Sequence, residues 1–149
     1  MPIPPNELSV SDKLIHFLKN EEGFRDKAYQ DSGGVWTFGY GNTTSGGAPV
    51  RAGMSIAKEN ADTLLKEKAN EFANVVKSNV KVPLTQNEFE ALTSFAYNVG
   101  PNNFKSSTLL KKLNSGDKTG VEGEFRKWIY DNNKNPVLRK RREKEIAYF

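Results

Sequence analysis

Apolar side chains recur at helical spacing along most of the chain, and one segment interrupts them. Residues 55–80 carry apolar side chains three to five positions apart, which predicts a helix of about 30 Å or more with Ser55 as its N-cap. A first helix is predicted from Ser11 to Gly23 on the same grounds. Residues 24–53 instead hold seven glycines, turn signals and β-favouring residues, so we expect a small twisted antiparallel sheet there.

Capping residues and helix breakers divide the C-terminal half into shorter helices. Residues 85–88, Thr-Gln-Asn-Glu, form a capping box, and the helix that follows is predicted to stop at Gly100, before Pro101. Ser106 or Ser107 is predicted to cap a short helix that ends at a glycine. Two further helices are predicted over residues 121–129 and from Asn135-Pro136 to the C-terminus.

The predicted elements run in the order helix, small sheet, long helix and helical bundle, which indicates an α+β fold. The long helix is expected to join a sheet lobe to a helical lobe, and a length of 149 residues favours a single domain. The predicted parts are an N-terminal extension, the first helix with the sheet lobe, the connecting helix and the helical lobe: residues 1–10, 11–54, 55–80 and 84–149.

The composition excludes several kinds of catalytic site. The chain has no cysteine, so it contains no disulfide, no thiolate nucleophile and no cysteine zinc site. Its single histidine, His16, excludes metal sites that need several histidine ligands. If the protein is an enzyme, we therefore expect carboxylates to supply most of the acid–base chemistry, with Lys and Tyr as a minority.

Positive charge is concentrated in the C-terminal third. The net charge is +4, although acidic residues outnumber basic ones over residues 1–104. Residues 105–149 hold twelve Lys and Arg against six Asp and Glu. Such a segment suits a polyanionic partner, which leaves nucleic acid, an anionic membrane and an anionic glycan open. The run Arg139–Arg142 is expected to form a solvated or substrate-facing cationic face, in preference to a dedicated nucleic-acid patch.

Three residues around the first turn of the predicted sheet are candidates for chemistry. Glu22 ends the first helix, Asp31 lies in the turn, and Thr37 follows on a strand. Strand alternation places Thr37 on one face with Gly39 and Gly41, so this face is expected to be open to a bulky ligand. Glycoside hydrolysis uses one carboxylic acid to protonate the leaving oxygen and a second carboxylate on the opposite side. The alternative is that Glu22 is a solvated helix end and Asp31 a turn former.

Four blocks of the sequence carry longer motifs. Residues 22–43 read EGFRDKAYQDSGGVWTFGYGNT, which fits the frame E-G…Y-x-D…G-x-x-T-x-G-x-G. Residues 84–100 and 104–114 read LTQNEFEALTSFAYNVG and FKSSTLLKKLN, and residues 141–149 fit R-R-x-x-E-x-x-x-F. In this order, over residues 11–149, the blocks resemble those of the phage-type lysozymes, glycoside hydrolase family 24.

The resemblance implies a mainly helical lysozyme fold, in which a sheet lobe and a helical lobe flank a cleft. Glu22 would be the general acid, Asp31 the second carboxylate and Thr37 a residue that helps to position water. The bond cut would be the β-1,4 link from N-acetylmuramic acid to N-acetylglucosamine in peptidoglycan, with inversion at the anomeric carbon. Carboxyl groups about 6.5–9.5 Å apart would agree with inversion. The implied substrate-binding residues are Tyr97, Asn98, Ser107 and Arg141.

Two positions depart from the family pattern. The family usually has histidine where this chain has Asn42, so a titrating side chain that can affect stability and pH dependence is missing, while no catalytic group is lost. The family's Gly-Leu before the basic block is Val137-Leu138 here, which shifts the expected start of the last helix by a residue or two. Arg141, in that block, is expected to pair with Glu22 or with muramoyl carboxylates.

The resemblance also implies a monomeric lysis enzyme that needs no metal and no cofactor. Its partner would be the peptidoglycan glycan strand, without nucleic acid. The sequence shows neither an apolar stretch of roughly 20 residues nor a secretory signal, so we expect accumulation in the bacterial host's cytoplasm and release to the wall through a holin-opened membrane. Two alternatives remain open. One is a relative that disrupts anionic membranes through its basic C-terminal helix, and the other is a nucleic-acid-binding protein, suggested by charge alone.

Overall fold

The computed structural model describes residues 1–131 and 134–149. The chain divides into two compact units. The sheet unit is Asp12–Lys68, and the helical unit combines Met1–Ser11 with Ala69–Phe149. Within the described residues, no helix is both long and apolar enough to cross a membrane.

The sheet unit opens with helix α1, Asp12–Glu22, which confirms the first predicted helix. The helix follows Ser11 directly and ends before Gly23, whose φ of 69° and bond to the Lys19 carbonyl oxygen close the last turn. Its buried face consists of Leu14, Ile15 and Leu18. Glu22 is therefore the last helical residue, at the point where the backbone enters the sheet.

Two antiparallel strand pairs follow, in agreement with the small sheet that the sequence predicts. The strands are β1 Arg25–Gln30, β2 Trp36–Gly39, β3 Thr44–Ser45 and β4 Ala48–Pro49. β1 pairs with β2, and β3 pairs with β4. Tyr29 lies opposite Thr37 and Arg25 opposite Gly39, with a shift of register between these two pairings. The shift makes β1 irregular, as a β-bulge does.

The predicted alternation of faces ends at Gly39, and the expectation of an open glycine face is wrong. Phe38 and Asn42 exchange two backbone hydrogen bonds of 2.9 Å, which close a tight turn. Gly39 and Gly41 adopt φ values of 64° and 82° in this turn, which side chains rarely permit. Thr37 is only 3% exposed. The strand pattern failed because the glycines turn the backbone instead of extending it.

Helix α2, Lys58–Asn79, is the long predicted helix, and its 22 residues correspond to about 33 Å. It begins later than predicted, because Ser55 forms an antiparallel bridge with Lys27 and is not the N-cap that the sequence suggested. In the same connection the amide of Ile56 donates to the carbonyl oxygen of Asp26 at 2.8 Å. The division between the two units falls inside this helix.

Five further helices form most of the helical unit: α3 Gln86–Val99, α4 Pro101–Ser106, α5 Thr108–Asn114, α6 Lys118–Phe125 and α7 Arg139–Tyr148. The predicted capping box is confirmed at the start of α3. Thr85 Oγ1 accepts from the Glu88 amide at 3.1 Å, and Glu88 Oε1 accepts from the Thr85 amide at 2.8 Å. Ser107 caps α5 and accepts from the Leu110 amide at 3.1 Å, so it is the second of the two predicted candidates.

One helix and two helix boundaries differ from the prediction. Gly100 and Pro101 stop α3 as expected, but the same pair starts α4, because proline is favourable at a first helical position. α6 ends at Phe125, four residues early, where the next amides make tighter bonds to carbonyls three residues back. α7 begins at Arg139 and not at Asn135-Pro136, since the amides just before it bond outside the helix.

Residues 1–10 pack as part of the helical unit. Ile3 and Leu84 exchange two backbone hydrogen bonds of 2.9 Å, and Gln86 Nε2 donates to the Ser9 carbonyl oxygen at 2.9 Å. Leu8 is 6% exposed. The first residues of the chain are thus fixed by backbone pairing and by burial of an apolar side chain.

The core of the helical unit is built around the ring of Phe95 on α3. Phe104, Phe125 and Trp128 approach this ring edge-on, with centroid distances of 6.3, 5.2 and 5.8 Å. Edge-to-face geometry is favourable because the positive edge of one ring meets the negative face of another. Every residue of α3 from Glu88 to Tyr97 is buried, as expected for a helix that is covered on all sides.

A fully buried carboxylate on α7, that of Glu145, binds two guanidinium groups. Arg142 Nη1 lies 2.6 Å from Oε1, and Arg141 Nε lies 3.3 Å from Oε2. Ser94 on α3 also donates to Oε2, at 2.5 Å. Arg141 and Arg142 are 5% and 0% exposed, so the expectation of a solvated cationic face is wrong for these two members of the basic run. Paired charges in the interior replace it.

We predict that Glu145→Gln lowers the free energy of unfolding by about 3 kcal/mol, because two buried guanidinium groups lose their counter-charge. Thermal and urea unfolding at pH 7 measure the loss. Glu143→Gln is the matched control on the same helix: its partner Arg126, 3.0 Å away, is exposed, so the melting temperature should change far less. Equal shifts in the two variants would contradict a special role for the buried carboxylate.

Candidate active site

The carboxyl group of Glu22 lies against the backbone of the tight turn that follows β2. A Cβ added to Gly41 would sit 2.9 Å from Glu22 Oε1, closer than real Cβ contacts come. Glu22 itself is half-buried, at the C-terminal end of α1. Glycine at position 41 therefore serves two needs at once: a φ of 82° and a close approach to this carboxyl group.

A group of three polar side chains holds the turn in place. Lys19 Nζ lies 3.1 Å from Asp62 Oδ1, which joins α1 to α2. The Tyr40 hydroxyl donates to Asp62, and its ring packs on Phe24 with centroids 5.4 Å apart. Tyr40 is 4% exposed. The residue beside Gly41 is thus anchored to both helices of the sheet unit.

The ionisation of this group follows from its surroundings. Burial raises the pKa of Tyr40 above its ordinary value, and the negative charge of Asp62 raises it further. Burial also raises the pKa of Asp62, but the hydrogen bond and positive charge of Lys19 outweigh it, so the pKa of that carboxyl falls below its usual value. At neutral pH the tyrosine is therefore a neutral donor to a charged aspartate.

Asp31 forms the turn that joins β1 to β2. Its Oδ1 accepts hydrogen bonds of 2.9 Å from the amides of Gly33 and Val35, and its carbonyl oxygen accepts one from Gly34. Asp31 is thus a turn former, as the alternative interpretation of the sequence had it. The side chain is exposed, and within the described residues Oδ2 takes no part in a hydrogen bond. Oδ1 thus stabilises the loop, and Oδ2 remains able to accept a hydrogen bond.

Thr37 is joined to Asp31 through the backbone of Val35. Thr37 Oγ1 donates to the Val35 carbonyl oxygen at 2.9 Å, while Asp31 Oδ1 accepts from the Val35 amide. Two of the three catalytic candidates, Asp31 and Thr37, are thus hydrogen-bonded to the same residue, Val35. Because the single hydroxyl proton of Thr37 is already donated, this oxygen can only accept a hydrogen bond from any further partner.

The three candidates Glu22, Asp31 and Thr37 all lie in the sheet unit, and the four substrate-binding candidates lie in the helical unit. Tyr97 on α3 is 4% exposed, and its ring lies 5.7 Å from that of Phe72. Asn98 follows in the last turn of α3 and is half-buried.

The other two substrate-binding candidates have structural hydrogen bonds. Ser107 Oγ donates to the Phe104 carbonyl oxygen at 2.7 Å and also caps α5, so its proton is committed within the helical unit. Arg141, besides its bond to Glu145, donates through Nη2 to the carbonyl oxygen of Ser94 at 3.1 Å.

Asn42 is buried at the end of the tight turn. It is 7% exposed, and its Oδ1 makes no hydrogen bond within the part of the chain that the structure describes. The same part of the chain holds no group of three His, Asp or Glu side chains arranged to bind a metal ion.

The motifs alone did not reveal the Lys19–Asp62–Tyr40 group. Its members are separated by about twenty residues each along the chain, and each belongs to an ordinary helix or turn. The one available signal was Lys19, three positions before Glu22 on the same helix. This spacing indicates that Lys19 lies near Glu22, but it does not identify Asp62 as the partner of Lys19.

Comparison with known proteins gives the family. A model of the phage lysozyme family matches residues 19–145. The chain is 41% identical, over 147 residues, to an endolysin of Acyrthosiphon pisum secondary endosymbiont phage 1, covering 95% of this chain and 98% of that relative. The chain belongs to the phage lysozyme family.

Two further comparisons agree with this assignment. The endolysin of Salmonella phage P22 is 38% identical over 143 residues, covering 95% of this chain and 98% of its own. The solved endolysin from Escherichia coli O157:H7 phage FAHEc1 superposes with a TM-score of 0.86 at 35% identity, covering 95% and 92% of the two chains. The predicted family and the α+β lysozyme fold are thus confirmed, and the protein is a lysozyme-type hydrolase of peptidoglycan that acts in lysis.

We predict that Gly41→Ala lowers kcat by at least about tenfold, because the new methyl group displaces the Glu22 carboxyl group from its position. The measurement is release of reducing ends from purified peptidoglycan, with melting temperatures recorded alongside. Gly47→Ala is the matched control: Gly47 has the same φ of 82°, and an added Cβ there would meet nothing within 4 Å. Similar losses of activity in both variants would show that backbone strain alone is responsible.

Proposed function

We propose that the protein cleaves the β-1,4 bond between N-acetylmuramic acid and N-acetylglucosamine, with Glu22 as general acid and Asp31 as general base. The observation that carries the proposal is the shared Val35 backbone, which holds the Asp31 carboxylate and the Thr37 hydroxyl together in the unit that also contains Glu22. All three residues occupy the positions of the family's active-site frame within the matched segment.

In the proposed reaction Glu22 donates its proton to the glycosidic oxygen as the bond to the anomeric carbon breaks. A water molecule attacks that carbon from the other face of the sugar ring. Asp31 Oδ2 and Thr37 Oγ1 each accept a hydrogen bond from this water, since neither atom has a proton to offer in this arrangement. Both water protons are then held, a lone pair faces the anomeric carbon, and Asp31 takes the proton that is released.

The proposed substrate contacts come from the helical unit. Tyr97 and Asn98 lie on consecutive positions of the buried helix α3, which gives both side chains a rigid base. Ser107 is proposed to contribute an acceptor lone pair, because its proton is committed to Phe104. Pairing of Arg141 with Glu22 or with muramoyl carboxylates is the weaker proposal, because Arg141 is 5% exposed and already binds Glu145 and Ser94.

The proposed setting is that of a monomeric endolysin, made in the host cytoplasm and released to the wall when a holin opens the membrane. Membrane disruption by the C-terminal helix is the weaker candidate. Two cations of the basic run are buried in ion pairs, and exposed Arg126 is paired with Glu143 on α7. Arg139 and Lys140 stay exposed on this helix, so its exposed positive charge is smaller than the sequence suggests. We favour the glycan strand as partner.

We predict that Glu22→Gln lowers the rate of peptidoglycan hydrolysis by about 10²–10⁴-fold, the usual contribution of a general acid. The digest of the unaltered protein should contain reducing N-acetylmuramic acid ends by mass spectrometry. Glu21→Gln, the adjacent position on α1, is the control and should retain activity. Full lysis of outer-membrane-permeabilised cells by Glu22→Gln would favour membrane disruption instead.

We predict an inverting outcome, because Asp31 is assigned to a water molecule and not to the sugar. Proton NMR of a digest at early time, before mutarotation, should show the α-anomer of the new reducing end as the first product. The β-anomer appearing first would indicate a retaining reaction through a glycosyl-enzyme, and would assign Asp31 as nucleophile.

A further inference from the structure

The guanidinium group of Arg142 is fully buried and fixed on several sides. Its Nε donates to the Trp128 carbonyl oxygen at 2.7 Å and its Nη1 to Glu145 Oε1 at 2.6 Å. The group lies over the ring of Phe95, with its carbon 5.0 Å from the centroid. Its Nη2 donates to Asn98 Oδ1. These contacts fix the orientation of the guanidinium group, and its hydrogen bond to Asn98 fixes the Asn98 side chain as well.

This contact decides which end of the Asn98 amide faces the interior. A guanidinium group only donates hydrogen bonds, so the carbonyl end of the amide must face Arg142. The amino end, Nδ2, is then directed away from Arg142. Within the described residues this is the one hydrogen bond in which the Asn98 side chain takes part, and the side chain is half-buried. The end of the Asn98 side chain that is directed away from Arg142 is therefore Nδ2, which can only donate.

We infer that Arg142 is a positioning residue, which presents Asn98 Nδ2 as a hydrogen-bond donor to the acetamido carbonyl oxygen of the substrate. The inference rests on the proposed function. Sugar hydroxyl groups can donate or accept, so a fixed donor does not select among them. An amide carbonyl oxygen only accepts, and it is the neutral acceptor that N-acetylated sugars have and de-N-acetylated sugars lack.

Asn98→Asp tests the inference because it separates the two ends of the side chain. The carboxylate keeps the acceptor that Arg142 needs and adds an opposite charge, so the melting temperature should stay the same or rise. The variant loses both N–H groups, so kcat/KM on purified peptidoglycan should fall about tenfold. A merely structural role for Asn98 would move stability and activity in the same direction.

Asn87→Asp is the matched control, since it makes the same substitution at an exposed position in the first turn of α3. It should leave kcat/KM unchanged. Full activity in Asn98→Asp would overturn the inference, and so would a lowered melting temperature, because the acceptor for Arg142 is retained. An unaltered protein that releases no reducing muramoyl ends would contradict the proposed function instead.

A binding measurement decides the inference without turnover. In ¹⁵N-labelled Glu22→Gln protein, the side-chain amide signals of Asn98 should shift when an N-acetylglucosamine oligomer is added, and stay in place with a glucosamine oligomer. Absence of these signals in the Asn98→Asp variant assigns them. Signals that do not move at saturating N-acetylglucosamine oligomer, or that move equally with both oligomers, would overturn a donor role towards the acetamido group.

Discussion

The helical unit depends on the ion pairs that the buried carboxylate of Glu145 forms with two arginines. Removing charges from water costs several kcal/mol for each ion, and this cost is offset only where geometry is good and every polar atom has a partner. Here one carboxylate meets Arg141, Arg142 and the Ser94 hydroxyl. Ser94 belongs to α3 and the charged groups to α7, so directional bonds fix the register between these helices.

The sheet unit is organised by a different constraint, the space available beside a carboxyl group. Gly41 leaves room for Glu22, and the Tyr40 side chain ties that turn to Asp62. Asp31 stabilises its own loop in the same way, through bonds to the backbone at Val35. The reactive groups are thus positioned by short-range geometry within the loops that carry them.

Local signals in the sequence were sufficient for most helices, whereas the candidate site residues were singled out by the resemblance of their motifs to a known family. The Thr85–Glu88 capping box and the Ser107 cap act through side-chain bonds to nearby amides, so they can be read without knowing the fold. Glycines were misread where one residue type has two uses: the pattern treats Gly39 as part of an extended strand, and the structure uses its positive φ to turn. Burial of Arg142 could not be foreseen either, because its partners lie up to 44 residues away in sequence.

The pairing of Ile3 with Leu84 has a consequence for how the protein is made. The helical unit consists of two separate stretches of chain, whereas the sheet unit, Asp12–Lys68, is continuous. During synthesis, which proceeds from the N-terminus, the continuous unit has all its residues available first, and Ile3 must wait for a partner that emerges about eighty residues later. The strand bridge at Ile3 is a contact of high sequence separation, so closing it carries a loop-entropy cost that local helix formation does not. We therefore view the helical unit as the later-folding part, completed only when α7 has left the ribosome.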